Sequence, residues 1–376
     1  MTSPHTALGS LNVLDFSRVL AGPFATMVLA DLGATVTKVE RPPLGDDTRA
    51  WGPPHDDRGA ATYFQSVNRN KTSVTWDLAD PRDRAAARRA ALGADVVVEN
   101  FRPGVMERLG LGPDELCAES PRLVYCSITG FGAGPGAALP GYDLLVQAVG
   151  GLMSITGEPD GEPQKVGVAL VDVLAGLFAS VGVLAALRHR DATGQGQRVE
   201  VDLLSSLLAA LVNQGAAYTV GGVVPQRLGN RHPSIAPYEL IACADRDLAL
   251  AVGNDRQFRA LCGVTGLDDL ADDPRFATNP ARVAHRDLLA TALRAPLRGL
   301  PAAEWADRLT AAGVPAGVVN DVAGAFRLAE ALGLDPVVDL PRDDGSTVGL
   351  TRNPIRLSAT PVRYSTAPPT LPPARS

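Results

Sequence analysis

Short apolar runs separated by polar turns recur through the first 220 residues of the chain. They are typical of buried strands and cover residues 11–16, 34–40, 72–77, 94–99, 123–128 and 197–202. Helical patterns at 24–32 and 81–92 lie between strands, and this alternation predicts a parallel sheet of the α/β class. Polar or glycine-rich segments follow four of the strands, so we expect the ligand site at that edge of the sheet.

The pattern changes after residue 220. Residues 238–243 and 248–252 predict a hairpin, amphipathic helices follow through Leu309, and one more strand begins at Val314. We therefore expect segment 1–220 to form most of a large α/β domain and segment 221–313 to form a smaller α+β domain. Segment 314–376 is expected to return to the large domain and to end in an extended tail.

One carboxylate, Asp172, stands in a long stretch of small and apolar residues. Burying an ionised carboxylate without a partner is costly, so its presence needs a reason. The apolar residues that follow have helical spacing, which predicts Asp172 at or just before a helix start. Two interpretations stay open. Asp172 is an N-cap, or it is a carboxylate kept ionised in a dry pocket beside free helix amides that would bind an oxyanion.

Composition narrows the classes of function. The chain has 376 residues and a net charge of −6, which argues against a nucleic-acid-binding surface. It has neither the pattern of a signal peptide nor an apolar run that suggests a membrane span, so we expect a cytoplasmic protein without a membrane partner. Its cysteines and histidines lack the spacing of metal ligands, so no metal site is expected.

A series of short motifs runs through nearly the whole chain. They are Asp15–Arg18, Ala21–Pro23, Gly33–Ala34, Lys38–Arg41, Asn70–Lys71, Asp95–Gly104, Gly141–Asp143, Gly194–Gly196, Arg227–Asn230, Asp273–Asn279 and Ala312–Pro315. In this order they resemble the class III CoA-transferases, which include formyl-CoA transferase, carnitine CoA-transferase and the 2-methylacyl-CoA racemases. The resemblance implies a Rossmann-like large domain built from N- and C-terminal segments, a smaller α+β domain and an interlinked homodimer.

By this resemblance Asp172 matches the family's catalytic aspartate. In the transferases this residue attacks a donor acyl-CoA and then carries CoA as an aspartyl-CoA thioester, until an acceptor carboxylic acid takes it. A CoA thioester is thus expected as a substrate, with no permanently bound cofactor. We expect Asp172 to have an ordinary pKa of about 4, so that it is ionised at neutral pH without an activating base.

The resemblance also implies residues that contact CoA. Those expected at the pantetheine are Val19, Leu20 and Ala21, those expected at the nucleotide are Arg41, Lys71, Asn100, Phe101, Arg102 and Arg108, and Tyr142 borders the same site. An Arg guanidinium suits the 3′-phosphate and can stack on adenine. For Arg108 a surface ion pair is the alternative.

Two departures from the family pattern bear on the reaction. Leu20 replaces the glutamine of the oxalate-using enzyme, which disfavours a small dianionic acceptor. Tyr142 replaces the histidine of the racemases, and a phenol with a pKa of about 10 is a poor base at neutral pH. We therefore expect a CoA-transferase. The alternatives are a 2-methylacyl-CoA racemase, in which His232 or Asp255 joins Asp172 in acid–base catalysis, and a CoA-binding protein without turnover.

Overall fold

The computed structural model describes residues 6–373, and a six-stranded parallel sheet forms its centre. The strands are β1 Asn12–Asp15, β2 Thr35–Glu40, β3 Lys71–Thr75, β4 Val96–Glu99, β5 Val124–Thr129 and β6 Arg198–Asp202. Their order in the sheet is β3-β2-β1-β4-β5-β6. The predicted α/β sheet is confirmed, and its strand order reverses between β1 and β4, where such sheets bind ligands.

Helices connect these strands and make up much of the rest of the described chain. They are α1 Ala21–Asp31, α2 Thr62–Ser66, α3 Pro81–Leu92, α4 Val105–Arg108, α5 Pro113–Glu119, α6 Asp143–Val149, α7 Leu170–Thr193, α8 Leu203–Ala210, α9 Val212–Thr219, α10 Asp255–Thr265, α11 Asp268–Asp272, α12 Asn279–Ala284, α13 Arg286–Leu297, α14 Ala302–Ala311 and α15 Val322–Ala331. The glycine-rich segment between β5 and α6 consists mainly of turns.

Two small antiparallel sheets contain the remaining strands of the described residues. Their strands are β7 Tyr238–Ala242, β8 Asp247–Ala251 and β9 Ala316–Val318 in one sheet, and β10 Val337–Pro341 and β11 Thr347–Thr351 in the other. The strand expected to return from Val314 to the large domain is β9, which pairs with β8 instead. Val314 is buried in the apolar core beneath this sheet, and that packing keeps β9 there.

The described residues form two compact units. The first contains the chain up to Leu152, Lys165–Val223 and the chain from Asp335 onward, and the second contains Met153–Gln164 and Val224–Leu334. In the first unit the extended tail lies beside the central sheet. The Arg363 N–H donates to the Asp31 carbonyl at 2.7 Å, and the Thr75 hydroxyl donates to the Pro372 carbonyl at 2.8 Å. The C-terminal segment is thus part of the unit built on the parallel sheet.

The longest helix is α7, with 24 residues, and it carries Asp172. Its buried side chains pack in the main core together with those of α1 and the central sheet. At Gly176 the two helices approach closely, because an added Cβ would lie 2.6 Å from the Ala21 carbonyl oxygen. The start of α1 and the first turns of α7 are therefore in direct contact.

Length and hydropathy would also allow α7 to cross a membrane, since the mean hydropathy reaches 2.3 over 18 residues. Core helices of soluble proteins meet the same criteria, and one side of α7 is buried in the main apolar core. On its other side Leu177, Phe178 and Val181 are exposed, by 45%, 44% and 63%. This exposed apolar side is therefore available to pack against another surface.

Candidate active site

A cavity of about 280 Å³ opens at the carboxyl edge of the central sheet. Its walls come from the loops after β1, β4 and β5, from the start of α1 and from the first turn of α7. The sequence candidates that line it are Val19, Leu20, Ala21, Asn100, Phe101, Arg102, Tyr142 and Asp172. The structure thus brings most of the predicted residues together at the predicted edge.

Asp172 is the third residue of α7, which begins at Leu170. Ala169 occupies the N-cap position, so the N-cap interpretation of Asp172 is wrong. Burial, together with the negative charge of Asp143, raises the pKa of the Asp172 carboxyl to about 7. The expectation of an ordinary pKa is therefore also wrong, and near neutral pH the free protein contains both the ionised and the protonated carboxyl.

The backbone amides around Asp172 already have partners. The Oδ1 atom of Asp143 accepts hydrogen bonds from the N–H groups of Val171 and Asp172, at 2.8 and 3.3 Å. The flanking N–H groups donate to backbone carbonyls, Leu170 to Val168 at 2.8 Å and Val173 to Ala169 at 3.2 Å. The expected set of free amides for an oxyanion is thus not present in this turn of α7.

Hydrogen bonds to the backbone hold the loop that follows β1. The Oδ1 atom of Asn100 accepts from the Arg18 N–H at 2.8 Å, and its Nδ2 donates to the Arg18 carbonyl at 2.7 Å. Val19 has a φ of 69°, which is rare for a β-branched residue, and its N–H lies 3.3 Å from Asp46 Oδ2. Asn100 therefore acts on the loop backbone, although it was expected to contact the nucleotide.

Lys71 lies in the core, away from the cavity. Its Nζ is 3.2 Å from Asp15 Oδ2, 2.8 Å from the Pro23 carbonyl oxygen and 2.9 Å from Asn68 Oδ1. Burial lowers the pKa of the Lys71 amine to about 8, although Asp15 opposes this change. Lys71 thus departs from the nucleotide-facing position that the resemblance implied, because its amine is the counter-ion of a buried carboxylate.

Arg41 lines a second cavity of about 310 Å³, beside the ends of β2 and β3. Trp76 and Leu78 contribute apolar walls, and Phe101 lines both this cavity and the first one. The sequence candidates did not include Trp76 or Leu78. Their position directly after β3 is the signal that could have found them, since this strand ends at the same edge of the sheet.

The remaining predicted residues differ in their exposure and location. Arg102 is exposed and lines the first cavity. Arg108, at the end of α4, is exposed but lines neither of these two cavities. Tyr142 immediately precedes α6 and is 65% exposed at the rim of the first cavity. The described structure therefore gives Arg102 a place at the site that it does not give Arg108.

Glu99 is a buried carboxyl that sequence reasoning missed. It ends β4, its Oε2 accepts a hydrogen bond from the Phe101 N–H at 2.8 Å, and burial raises its pKa to about 7. The signal was a single carboxylate at the end of an apolar strand, as with Asp172 in its apolar helix. No group of three His, Cys, Asp or Glu side chains in residues 6–373 is arranged to hold a metal ion.

Comparisons with known proteins agree with one another. The family model of CoA-transferase family III matches residues 8–372. The chain is 44% identical to the succinate–glutarate CoA-transferase of Agrobacterium fabrum, over 99% of this chain and 94% of that protein. It is 42% identical to the acetyl-CoA:oxalate CoA-transferase of Acetobacter aceti, over 94% and 90%. A CAIB/BAIF family protein from Brucella suis has a similar structure, with a TM-score of 0.87, 42% identity and coverage of 97% of this chain and 96% of that chain.

Proposed function

Because the chain belongs to CoA-transferase family III, we propose that it moves CoA from an acyl-CoA thioester to a carboxylic acid through an aspartyl-CoA thioester on Asp172. The observation that carries the proposal is the position of Asp172. Its carboxyl lies at the cavity where the loops after β1, β4 and β5 meet. CoA transfer requires a nucleophile at such a place, and a carboxylate can form the covalent intermediate.

Each step of this reaction exchanges one acyl bond for another. A carboxylate oxygen of Asp172 attacks the donor thioester carbonyl, and the C–S bond breaks to give a mixed anhydride and CoA thiolate. The thiolate attacks the aspartyl carbonyl, which releases the donor as its carboxylate and leaves CoA on Asp172. An acceptor carboxylate then reverses these two steps, and the Asp172 carboxylate is regenerated. For transfer to outcompete hydrolysis, the bound CoA and acid must limit the access of water to these intermediates.

Dicarboxylic acids are the substrates we propose, because the similar transferases are named for succinate, glutarate and oxalate. Leu20 lines the cavity with an apolar side chain, and only 7% of its surface is exposed. An apolar wall suits the methylene groups of a longer acid such as glutarate better than it suits oxalate. We therefore expect transfer to glutarate to exceed transfer to oxalate when both acids are supplied with succinyl-CoA.

For the CoA molecule itself we propose a path across both cavities. Val19, Leu20 and Ala21 would border the pantetheine, and the cavity of Arg41 and Trp76 would take the nucleotide. Phe101 lines both cavities and would lie where the pantetheine passes to the nucleotide. Arg41 is exposed and is available to a phosphate.

An interlinked homodimer in the cytoplasm is also part of the proposal. Each of the four consecutive helices α6 to α9 exposes a large apolar residue that association with a second copy would bury. Their exposed fractions are 60% for Val149, 63% for Val181, 52% for Leu208 and 71% for Val212. The chain also passes between its two units more than once, as interlinking requires. Light scattering at micromolar concentration tests this, and a monomer would contradict it.

A racemase remains the second candidate, because a carboxyl with a pKa of about 7 suits acid–base exchange at neutral pH. The second acid–base group is the difficulty. The Nδ1 of His232 accepts from the Ser234 N–H at 3.1 Å, and Asp255 is paired with Arg282 at 2.8 Å. Both side chains thus already have partners within their own unit, which favours the transferase.

The test of the proposal is mass spectrometry of the protein after brief incubation with succinyl-CoA. We expect a CoA adduct on the peptide that contains Asp172, and we expect glutarate to remove it. Asp172→Asn is the control, since its amide is nearly isosteric but cannot form the thioester. Rapid transfer by Asp172→Asn, with deamidation excluded, would remove Asp172 from the mechanism.

A further inference from the structure

The helix that carries Asp172 begins without a capping side chain of its own. Ala169 at the N-cap has no polar side chain, and the first backbone N–H groups of any helix need acceptors from elsewhere. Asp143, from α6, supplies the acceptor for two of them. Its Oδ1 lies 2.8 Å from the Val171 nitrogen and 3.3 Å from the Asp172 nitrogen. The cap of α7 is therefore built from a different helix.

Gln147 fixes the orientation of this external cap. It lies four residues after Asp143 and so on the same face of α6, and it is fully buried. Its Nε2 donates to Asp143 Oδ2 at 2.6 Å, and its Oε1 accepts from the Val166 N–H at 2.9 Å. Both oxygens of Asp143 are thus held in place, and the segment leading into α7 is tied to the same pair.

We propose that Asp143, oriented by Gln147, positions the Asp172 carboxylate for CoA transfer by capping the first turn of α7 and by holding a second negative charge beside it. This inference rests on the proposed role of Asp172 as the nucleophile. Asp143 is a positioning residue in this scheme, because it acts through the backbone and charge of α7 and forms no bond to the substrate.

The charge of Asp143 acts on the protonation of Asp172. Burial is the larger cause of the raised pKa of Asp172, and Asp143 is the second. Other ionisable groups face the same space, and they are Tyr63 of α2, Asp46 before it, and Arg18, Asp47, Arg102 and Tyr142 at the cavity. Helices α1 and α8 also pack on α7. The one ionisable side chain in these two helices is Asp31, which lies at the C-terminal end of α1 and is paired with Arg69.

Two substitutions separate the roles of the cap and the charge. Asp143→Asn keeps one oxygen that can accept the hydrogen bonds of the α7 amides, but it removes the charge and the acceptor for Gln147 Nε2. Asp143→Ala removes the charge and both acceptors, so the two variants differ in the cap of α7. Asp80→Asn is the matched control. Asp80 caps α3 by accepting from the Arg82 and Asp83 N–H groups at 2.7 and 3.3 Å, and it does not line the cavity of Asp172.

The first experiment measures kcat/KM for CoA transfer from about pH 5 to pH 9. In Asp143→Asn we expect the acidic limb to move to lower pH by roughly half a unit to one unit, because one of the two causes of the raised pKa is gone. In Asp143→Ala we expect the same movement of the acidic limb, because the charge is lost here too. On the alkaline plateau we also expect a loss of about 10- to 100-fold, because the first turn of α7 loses its cap. Asp80→Asn should match the wild type in both respects.

A second experiment measures Asp172 without turnover. A diazo reagent esterifies protonated carboxyl groups, and peptide mass spectrometry then gives the pH at which labelling of Asp172 is half-complete. We expect this midpoint to fall in Asp143→Asn by the same amount as the kinetic limb. An unchanged midpoint in Asp143→Asn, or wild-type transfer by Asp143→Ala, overturns the inference. Absence of transfer in the wild type overturns the proposed function instead, and the labelling midpoint still tests the effect of Asp143.

Discussion

Replacing Asp172 with asparagine should stabilise the fold at alkaline pH and much less at acidic pH. In the folded protein the carboxyl binds its proton more tightly than in the unfolded chain, since its pKa is raised from 3.8 to about 7. Stability is therefore greatest while the folded carboxyl is protonated, and it falls as pH rises from about 4 through about 7. The amide of Asp172→Asn resembles the protonated form at every pH, so the variant avoids this loss.

The size of the effect follows from the change in pKa. A change from 3.8 to about 7 is about three units, and about 1.36 kcal/mol per unit sets an upper limit of roughly 4 kcal/mol. Between about pH 5 and pH 8 the linkage relation gives roughly 3 kcal/mol of this. Because Asp172 is only partly buried, solvent screening reduces the expected change to roughly 1–2 kcal/mol. In a chain of 376 residues this corresponds to a melting-temperature difference of about 1–3 °C.

The assay is thermal unfolding of the wild type and Asp172→Asn at about pH 5 and pH 8, where the carboxyl is mostly protonated and mostly ionised. Protein concentration must be equal throughout, because association changes the melting temperature. The quantity compared is the increase in Tm caused by the substitution at each pH. Asp57→Asn is the control, since this side chain is 81% exposed and loses the same charge without desolvation.

For Asp172→Asn we expect a larger increase in Tm at the higher pH. For Asp57→Asn we expect any change in Tm to be the same at both pH values. Equal increases at both pH values for Asp172→Asn would contradict the reasoning. They would mean that the folded protein solvates the ionised carboxyl as well as water does.

Three further predictions concern other residues. Arg41→Ala should raise the KM for CoA thioesters by about 10- to 100-fold, because a charge-assisted hydrogen bond to the 3′-phosphate is lost. Arg108→Ala should leave this KM nearly unchanged. An equal effect of Arg41→Ala on thioesters of 3′-dephospho-CoA would show that Arg41 does not bind that phosphate. Lys71→Met should lower the free energy of unfolding by about 3 kcal/mol, because buried Asp15 loses its ion-pair partner, and chemical denaturation measures this. The loss stays at the low end for a broken buried pair, since Ser17 and Thr26 still donate hydrogen bonds to Asp15. A fully stable Lys71→Met protein with impaired CoA binding would restore the nucleotide-facing role. In D₂O, NMR should detect no α-deuteration of a 2-methylacyl-CoA near the rate of CoA transfer, because Tyr142 is a poor base; rapid deuteration without transfer would favour the racemase.

The sequence predicted the central sheet well because its strands are short, apolar and bounded by polar loops. The same rule located the cavity, since loops at the carboxyl ends of parallel strands lie at one edge. Asp172, which lines this cavity, was also recognisable as a candidate site residue, because a lone carboxylate in an apolar helix needs a physical reason. Each of these signals is local, and a local signal can be found in one sequence.

Interactions between distant residues were the part that sequence reasoning missed. Lys71 lies in a polar stretch and gives no sign of its partner Asp15, which is 56 positions away. Asp143 caps a turn 28 residues later in the chain, so its effect on the pKa of Asp172 depends on the packing of α6 against α7. The membership of β9 in the small sheet likewise depends on the burial of Val314.

The lack of a Cβ at Gly176 has a consequence for how this protein can diversify. There is no room for even one carbon between α7 and the Ala21 carbonyl, so we expect a shift of the Asp172 helix to displace the start of α1 as well. A change of substrate preference that shifted either of them would disturb both. The turn-rich segment 131–140 lines the same cavity without belonging to a helix or strand. We expect natural selection to have altered the choice of acceptor acid chiefly through this segment, and the spacing of the two helices hardly at all.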